Sequence, residues 1–275
     1  MLLPVLIISL FTSCITPSYY QVYKATPMGE VVKNDNFLLY EDENCIVSYN
    51  LWSDGGNIGF KVFNKTDSNM YLNLDESFFV LNGIAYNYFK NRVFTHSVGS
   101  GTASTRSASA SGSVSGTNIF GLPQTNRIGT GSSVGVVLSS EYSVAFHEEK
   151  TIVIPPKTSK IITEYSINQT FIRDCDLFRY PSSRQINTIR FSKDESPIVF
   201  SNRITYTLDG TETPVRFENE FFVSEVTNYP EREIMESRYE EFCGQRSTTR
   251  RNYFKNTAPD KFYLKYSSGQ DRRRH

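Results

Sequence analysis

Lys61-Val62-Phe63-Asn64-Lys65-Thr66-Asp67-Ser68-Asn69-Met70-Tyr71-Leu72-Asn73-Leu74 is the stretch whose reading decides the fold. It opens on the end of a strand rich in β-branched and aromatic residues. A polar run of turn formers follows. The chain then alternates, with Met70, Leu72 and Leu74 on one face and Tyr71 and Asn73 on the other. A period of two places one face of a strand against a core and leaves the other toward solvent. The stretch therefore predicts two antiparallel strands joined by a polar turn.

The same signals repeat on both sides. Upstream, Phe37 to Tyr40, Cys45 to Trp52 and Ile58 to Phe63 read as strands, and Ser53-Asp54-Gly55-Gly56-Asn57 forms a turn of residues that tolerate positive φ. Downstream, Ser77 to Leu81 and Ile84 to Phe89 flank Asn82-Gly83, the strongest two-residue hairpin signal. Tyr142 to Phe146, Thr151 to Ile154, and Lys160 to Ile167 after Pro155-Pro156-Lys157-Thr158-Ser159 continue the pattern. Ile189 to Phe191, Ile198 to Leu208, the turn Asp209-Gly210, Val215 to Val226 and Lys261 to Tyr266 extend it. Short strands at spacings near ten residues imply an all-β, antiparallel sandwich. No Pro/Gly/Ser linker separates the two halves, so residues 37–229 are expected to form one β unit.

Two segments break the pattern. Ser97 to Gly135 is dominated by Ser, Gly, Thr and Ala, with Arg106 and Arg127 its only charges. Its apolar content is too low to offset the entropy of ordering it as core. It reads as a flexible insertion between strands, with Ile119-Phe120-Gly121-Leu122-Pro123 as its adhesive centre. Near the C-terminus, Pro230 precedes Glu231 and Glu233, and Gly244 follows Cys243. Proline and acids at a start with glycine past the end predict one short helix over 231–243.

Composition narrows the function classes. Among 275 residues, 29 Lys+Arg balance 29 Asp+Glu, so the formal net charge is zero and the footprint of a nucleic-acid binder is absent. Three His and four Cys leave little material for metal or nucleophile chemistry. The charge is nonetheless uneven. From Arg246 onward nine basic residues face Asp260 and Asp271 alone, giving +7 for this region and −7 for the remainder. A basic C-terminal tail over 230–275, following the helix, is the expectation.

The candidate catalytic patterns fail on context. Gly131-Ser132-Ser133-Val134-Gly135 matches a nucleophile elbow, but no buried strand precedes it. Glycine spacing in the same region misses the dinucleotide loop. His147-Glu148-Glu149 opens like a zincin helix, yet Thr151 stands where the second histidine belongs. Asp174-Cys175-Asp176 reads as a solvated strand edge. No catalytic residue, metal site or cofactor is expected. Trp52 beside Asp54 and Asn57 supplies an aromatic plate with hydrogen-bonding groups, the best sugar-stacking candidate in the chain, although a lone Trp in such a fold is more often core.

Leu2 to Phe11 is an apolar run of signal-peptide length, far short of a membrane span. With Phe11-Thr12-Ser13-Cys14 at its end, it resembles the leader and lipobox of bacterial envelope lipoproteins, although no Lys or Arg precedes the run. The resemblance implies cleavage after residue 13 and lipidation of Cys14. Ile15, in place of a retaining Asp, implies the outer membrane, on either its periplasmic or its surface face. Residues 14–36 then read as a tether of up to about 70 Å. Cys45, Cys175 and Cys243 remain, an odd number that allows one disulfide at most.

The order of Phe63-Asn64-Lys65-Thr66-Asp67, Asn82-Gly83 and Ile154-Pro155-Pro156-Lys157-Thr158-Ser159 is similar to that in immunoglobulin-like β-sandwich domains of bacterial exported proteins. There an N-x-[ST]-D turn joins two strands and a proline turn precedes a late one. This resemblance spans roughly Phe37 to Ile167 with the insertion set aside, and implies a fold without implying an activity. The combined expectation is a lipid-anchored, non-catalytic binding or assembly component of the cell envelope, held to the membrane by its N-terminal lipid. Its partner would be an envelope protein or a glycan. The alternatives are a carbohydrate-binding or carbohydrate-active surface protein, and a structural subunit of a pilus or secretion apparatus.

Overall fold

The computed structural model describes residues 17–99, 115–117, 123–125 and 141–268. The chain begins with β1 (Ser18–Pro27), β2 (Val32–Lys33), β3 (Leu38–Glu41), β4 (Cys45–Tyr49) and β5 (Phe60–Asn64). Then come β6 (Met70–Asn73), β7 (Phe78–Leu81) and β8 (Ile84–Asn87). Within and around the insertion lie β9 (Val93–Gly99), β10 (Ser115–Thr117), β11 (Pro123–Thr125) and β12 (Glu141–His147). The chain continues through β13 (Thr151–Ile154), β14 (Ser159–Ile162), β15 (Thr188–Arg190), β16 (Val199–Leu208) and β17 (Val215–Pro230). It ends with the one-turn helix α1 (Glu231–Ile234), β18 (Met235–Phe242), β19 (Gln245–Phe254) and β20 (Lys261–Ser267).

Fourteen of these strands build two antiparallel sheets around one core, curled as a half-barrel, and the other six pair as the ribbons β9-β12, β10-β11 and β18-β19. The larger sheet runs β13-β6-β16-β17-β1-β20, with β7 and β8 attached through β16 and β15 through β17. The smaller runs β14-β5-β4-β3-β2. Strands from both halves of the sequence share the large sheet. The sheets meet through aromatic rings: Tyr40 stacks on Phe217 at 4.5 Å, and Tyr49 meets Phe221 edge-on at 5.4 Å. Each such pair contributes about 1 kcal/mol beyond its buried area.

The opening stretch folds as its alternation requires. Met70 and Leu72 are buried, and β6 pairs with both β13 and β16. Asn64 is also fully buried, against the ordinary preference of asparagine, because every polar atom of its side chain is bonded. Its Nδ2 donates to the carbonyls of Ser68 (2.8 Å), Ile154 (3.0 Å) and Pro155 (3.3 Å), and its Oδ1 accepts from the Thr66 N–H (2.9 Å) and hydroxyl (2.7 Å). Asn64 thus fastens its own turn to the proline turn after β13. Two motifs that are separate in sequence form one corner of the fold.

Three expectations need correction. First, residues 18–27 are not tether: β1 lies in the large sheet between β17 and the end strand β20. Tyr19 to Tyr23 reads as no more than a short strand-like patch in a tether because Tyr20 to Tyr23 are buried on both faces and do not alternate. Its one central polar residue, Gln21, is consumed internally, donating to Ile172 O and Asn228 Oδ1 and accepting from Ile172 N–H and Tyr23. Second, the helix spans Glu231–Ile234 only. Cys243 and Gly244 both hold positive φ (50° and 75°), so the glycine read as a helix stop is half of a two-residue hairpin turn joining β18 to β19. Third, the basic region is not a tail. Arg246, Arg250 and Arg251 lie on β19, and Lys261 and Lys265 lie on β20, the end strand of the large sheet. Residues 272–274, the leader, Cys14, Ile119 to Leu122 and Gly131 to Gly135 lie outside the described residues.

Candidate binding surfaces

The sugar-stacking candidates sit in the loop between β4 and β5. Gly55 and Gly56 hold φ of +77° and +76°, which folds this loop back on the edge of β20, where Gly55 N–H donates to Tyr263 O and Tyr263 N–H donates to Ser53 O. Trp52 is half-buried and spent on packing: it meets Phe254 edge-on at 4.9 Å and Tyr263 at 5.2 Å, under the base of the β18–β19 hairpin. Asp54 is exposed and its Oδ1 faces Lys265 N–H, whereas Asn57 Oδ1 accepts from Gly59 N–H at 2.8 Å. The three residues are neighbours along the chain, yet the Trp52 ring serves the hairpin. Asp174-Cys175-Asp176 forms a turn, not a strand edge, with Asp174 Oδ1 accepting Asp176 N–H. Cys45 is buried, and Cys175 and Cys243 are exposed free thiols. Burial pushes the Cys45 thiol well above its ordinary pKa, and the neighbouring Asp42 adds to the effect. Among the described residues no three His, Cys, Asp or Glu side chains group as a metal site, and no helix is long and apolar enough to cross a membrane.

The insertion leaves the body on the ribbon of β9 and β12, paired from Val93↔His147 to Gly99↔Glu141. At its root the Arg92 guanidinium lies between two carboxylates. Nε donates to Glu148 Oε1 at 3.1 Å, and Nη1 and Nη2 donate to the two oxygens of Glu164 at 2.8 and 3.1 Å. Glu148 Oε2 also accepts the backbone N–H groups of Lys90 (2.8 Å) and Arg92 (3.1 Å), and Lys90 Nζ reaches Glu164 at 2.7 Å. The two carboxylate side chains are only 8% and 12% exposed. Burial alone would raise the Glu148 pKa; the donors of Arg92 and the two backbone N–H groups outweigh it and hold the carboxyl below its ordinary value. Beside this clamp Tyr86, Phe89, Lys90 and Tyr165 line an open hollow of about 670 Å³. Sequence reading considered Glu148 only as part of a failed zincin pattern and passed over Arg92 and Glu164. The one available signal was the placing of Lys90-Asn91-Arg92 and Glu148-Glu149-Lys150 immediately outside the two ends of the inserted segment.

A groove of about 680 Å³ lies at the end of the large sheet where β1 begins. Tyr19 and Tyr180 form its aromatic wall, with ring centroids 5.2 Å apart. Ser182, Gln185, Arg232, Glu236 and Asn252 bring hydrogen-bonding groups. The Ser182 and Gln185 side chains form a capping box that fixes this loop, a signature readable as Ser182-Ser183-Arg184-Gln185.

The hairpin β18–β19 walls the groove and continues past it. Arg246 and Arg250 lie over the Tyr239 ring, 3.8 and 4.8 Å from its centroid, and Phe242 at the turn is 80% exposed. Arg251 pairs with Glu240 at 2.8 Å and Arg238 with Glu236. The chain was compared with protein-family models, curated proteins and solved structures, and nothing matches it in any of the three.

Proposed function

We propose that this chain is a non-catalytic lipoprotein of the bacterial cell envelope, anchored through Cys14 to the outer membrane. In this reading an immunoglobulin-like sandwich presents the Ser/Gly-rich insertion to an envelope partner. The observation that carries the proposal is the clamp of Arg92 between Glu148 and Glu164. A passive surface insertion needs no mount; here half-buried, charge-assisted bonds fix the direction in which the ribbon leaves the body. The test is crosslinking in intact cells, comparing the natural chain with one in which residues 100–140 are replaced by a short Gly-Ser turn. Loss of a specific crosslinked protein, with unchanged thermal unfolding, is the expected result. An unchanged crosslinking pattern would reject the insertion as the contact element. Labelled palmitate incorporation, abolished by Cys14→Ala, tests the anchor.

A second reading, glycan binding, is favoured by the groove. Tyr19 and Tyr180 with Ser182, Gln185 and Asn252 combine an apolar plate and directional donors, the chemistry that saccharides select. It replaces the Trp52 site, whose ring is packed. Binding on a glycan array that Tyr180→Ala removes and Trp52→Phe retains supports it; an empty array removes it.

A further inference from the structure

We infer that the β18–β19 hairpin is a membrane-contact element whose tip docks on anionic lipid headgroups. The orientation rests on the anchored reading above. Ser18 is already the first residue of a sheet strand, so only four peptide units join it to Cys14, about 13 Å when extended. A lipid on Cys14 therefore holds this end of the large sheet against the bilayer, where a long tether would have let it stand off.

The hairpin runs toward the same end. Its base, Met235 and Phe254, packs with Tyr20, Trp52 and Tyr263. Two residues further out, Ser237 and Asn252 face each other in register and wall the groove with Pro17 and Ser18. The five steps from Ser237 to Phe242 carry the tip about 17 Å beyond that level. This reach is comparable to that of the link to Cys14, so lipid and tip meet one plane. Ser267, opposite Ser18, leads from the same end into a sequence containing Arg272, Arg273 and Arg274.

The tip has interfacial chemistry. Phe242 is exposed without a core to serve. Glu241 stands opposite Arg246 in register, yet the Arg246 and Arg250 guanidinium groups lie over the Tyr239 ring and form no ion pair among the described residues. Two unneutralised cations stacked on a tyrosine beside an apolar wedge match a surface of lipid phosphates over acyl chains. The Arg238 and Arg251 charges are already answered by Glu236 and Glu240, which leaves the positive face at the tip.

Cys243, an exposed thiol in the turn, reports docking directly. The full-length protein made with its own leader and carrying Cys175→Ser is mixed with vesicles of phosphatidylcholine alone or with 30% phosphatidylglycerol. Modification of Cys243 by a water-soluble maleimide is then timed. Docking slows the reaction roughly thirtyfold on the anionic vesicles only, the worth of two surface cations at about 1 kcal/mol each. Arg246→Gln/Arg250→Gln abolishes the protection and Arg246→Lys/Arg250→Lys keeps it. Equal rates on both vesicles, or protection indifferent to the Gln pair, would overturn the inference. Anchoring is read separately, by cosedimentation with the neutral vesicles. Cosedimentation without anionic protection removes the docking and leaves the anchor. Protection on anionic vesicles without cosedimentation on neutral ones supports the docking and removes the anchor.

Discussion

Replacing Asn64 tests whether the corner between β5, β6 and β13 is held by one side chain. Asn64→Ala deletes three donated and two accepted hydrogen bonds at a fully buried position. Net, each bond contributes roughly 0.5–1.5 kcal/mol, and a buried group left unpaired costs about 1–3 kcal/mol. The Ile154 carbonyl sits in the most enclosed of these bonds, whereas the Ser68 and Pro155 carbonyls are partly open to water that can replace the amide. The expected loss is about 3–4 kcal/mol, a large share of the roughly 5–15 kcal/mol that keeps a domain folded. Urea unfolding followed by far-ultraviolet circular dichroism measures it. Asn64→Asp keeps the volume and the acceptor for Thr66 but turns an oxygen toward the Ile154 and Pro155 carbonyls. At pH 7 it should cost at least as much as alanine. Repulsion raises that carboxyl's folded pKa, so the variant regains stability relative to the natural chain as pH falls and the acid becomes a donor. An alanine variant within 1 kcal/mol of the natural protein, or an aspartate variant as stable as it at pH 7, would refute the corner as described.

The remaining predictions concern the clamp, the folded loop and the thiols. Glu148→Gln should cost about 2 kcal/mol at pH 7, read from urea unfolding, by leaving Arg92 with one carboxylate. The Glu148 carboxyl is lowered in the folded state, so its contribution is complete above the ordinary carboxylate pKa of about 4.3 and is lost as pH falls through the folded value; a gap between variant and natural protein that does not narrow in acid would contradict this. Gly56→Ala should destabilise by about 2–4 kcal/mol, because the residue holds φ +76° and a Cβ there would stand 2.8 Å from Ile167 Cδ1 and 2.9 Å from Phe262 Cγ. Thermal unfolding reads that loss, and an unchanged midpoint would show the loop to be loosely held. Iodoacetamide should alkylate Cys175 and Cys243 in the native protein and Cys45 only after denaturation, counted by mass spectrometry of tryptic peptides.

Legibility in the sequence followed the geometry of exposure. β5, β6, β7, β8, β13, β16 and β17 each have a clear turn signal beside them, and their residues fall close to where alternation and turn chemistry place them. Asn82 and Gly83 hold φ of 48° and 81°, as a two-residue hairpin turn demands, and Gly210 holds 78° in the turn that Thr211 N–H closes on Leu208 O. β1 showed only as a short strand-like patch because alternation reports a strand with one wet face, and its centre, Tyr20 to Tyr23, has none. A residue such as Gln21 looks like solvent-facing polarity until its partners, Ile172 and Asn228, are known, and they lie 151 and 207 residues away.

The hairpin β18–β19 was misread for the opposite reason. Glu231, Glu233 and Gly244 are sound helix punctuation, but punctuation selects a helix only if some face of it can be buried. Beyond Ile234 the apolar residues are Met235, Tyr239 and Phe242, too few to cover a core at a spacing of 3.6. What stabilises the extended alternative is remote: Trp52, Tyr20 and Tyr263 gather Met235 and Phe254 at the base, and Cys243-Gly244 closes the turn. The groove and the clamp share this dependence on distant residues. Tyr19 meets Tyr180, and Arg92 meets Glu148 and Glu164, only after the sheets have brought together segments far apart in the chain. Local signals therefore reached the strands, while the surfaces suited to binding are products of their long-range pairing. A substitution at Trp52 should accordingly loosen the hairpin and its groove while leaving the two-sheet core folded, a split between local and global stability that no local feature of Ser53-Asp54-Gly55-Gly56-Asn57 would lead one to expect.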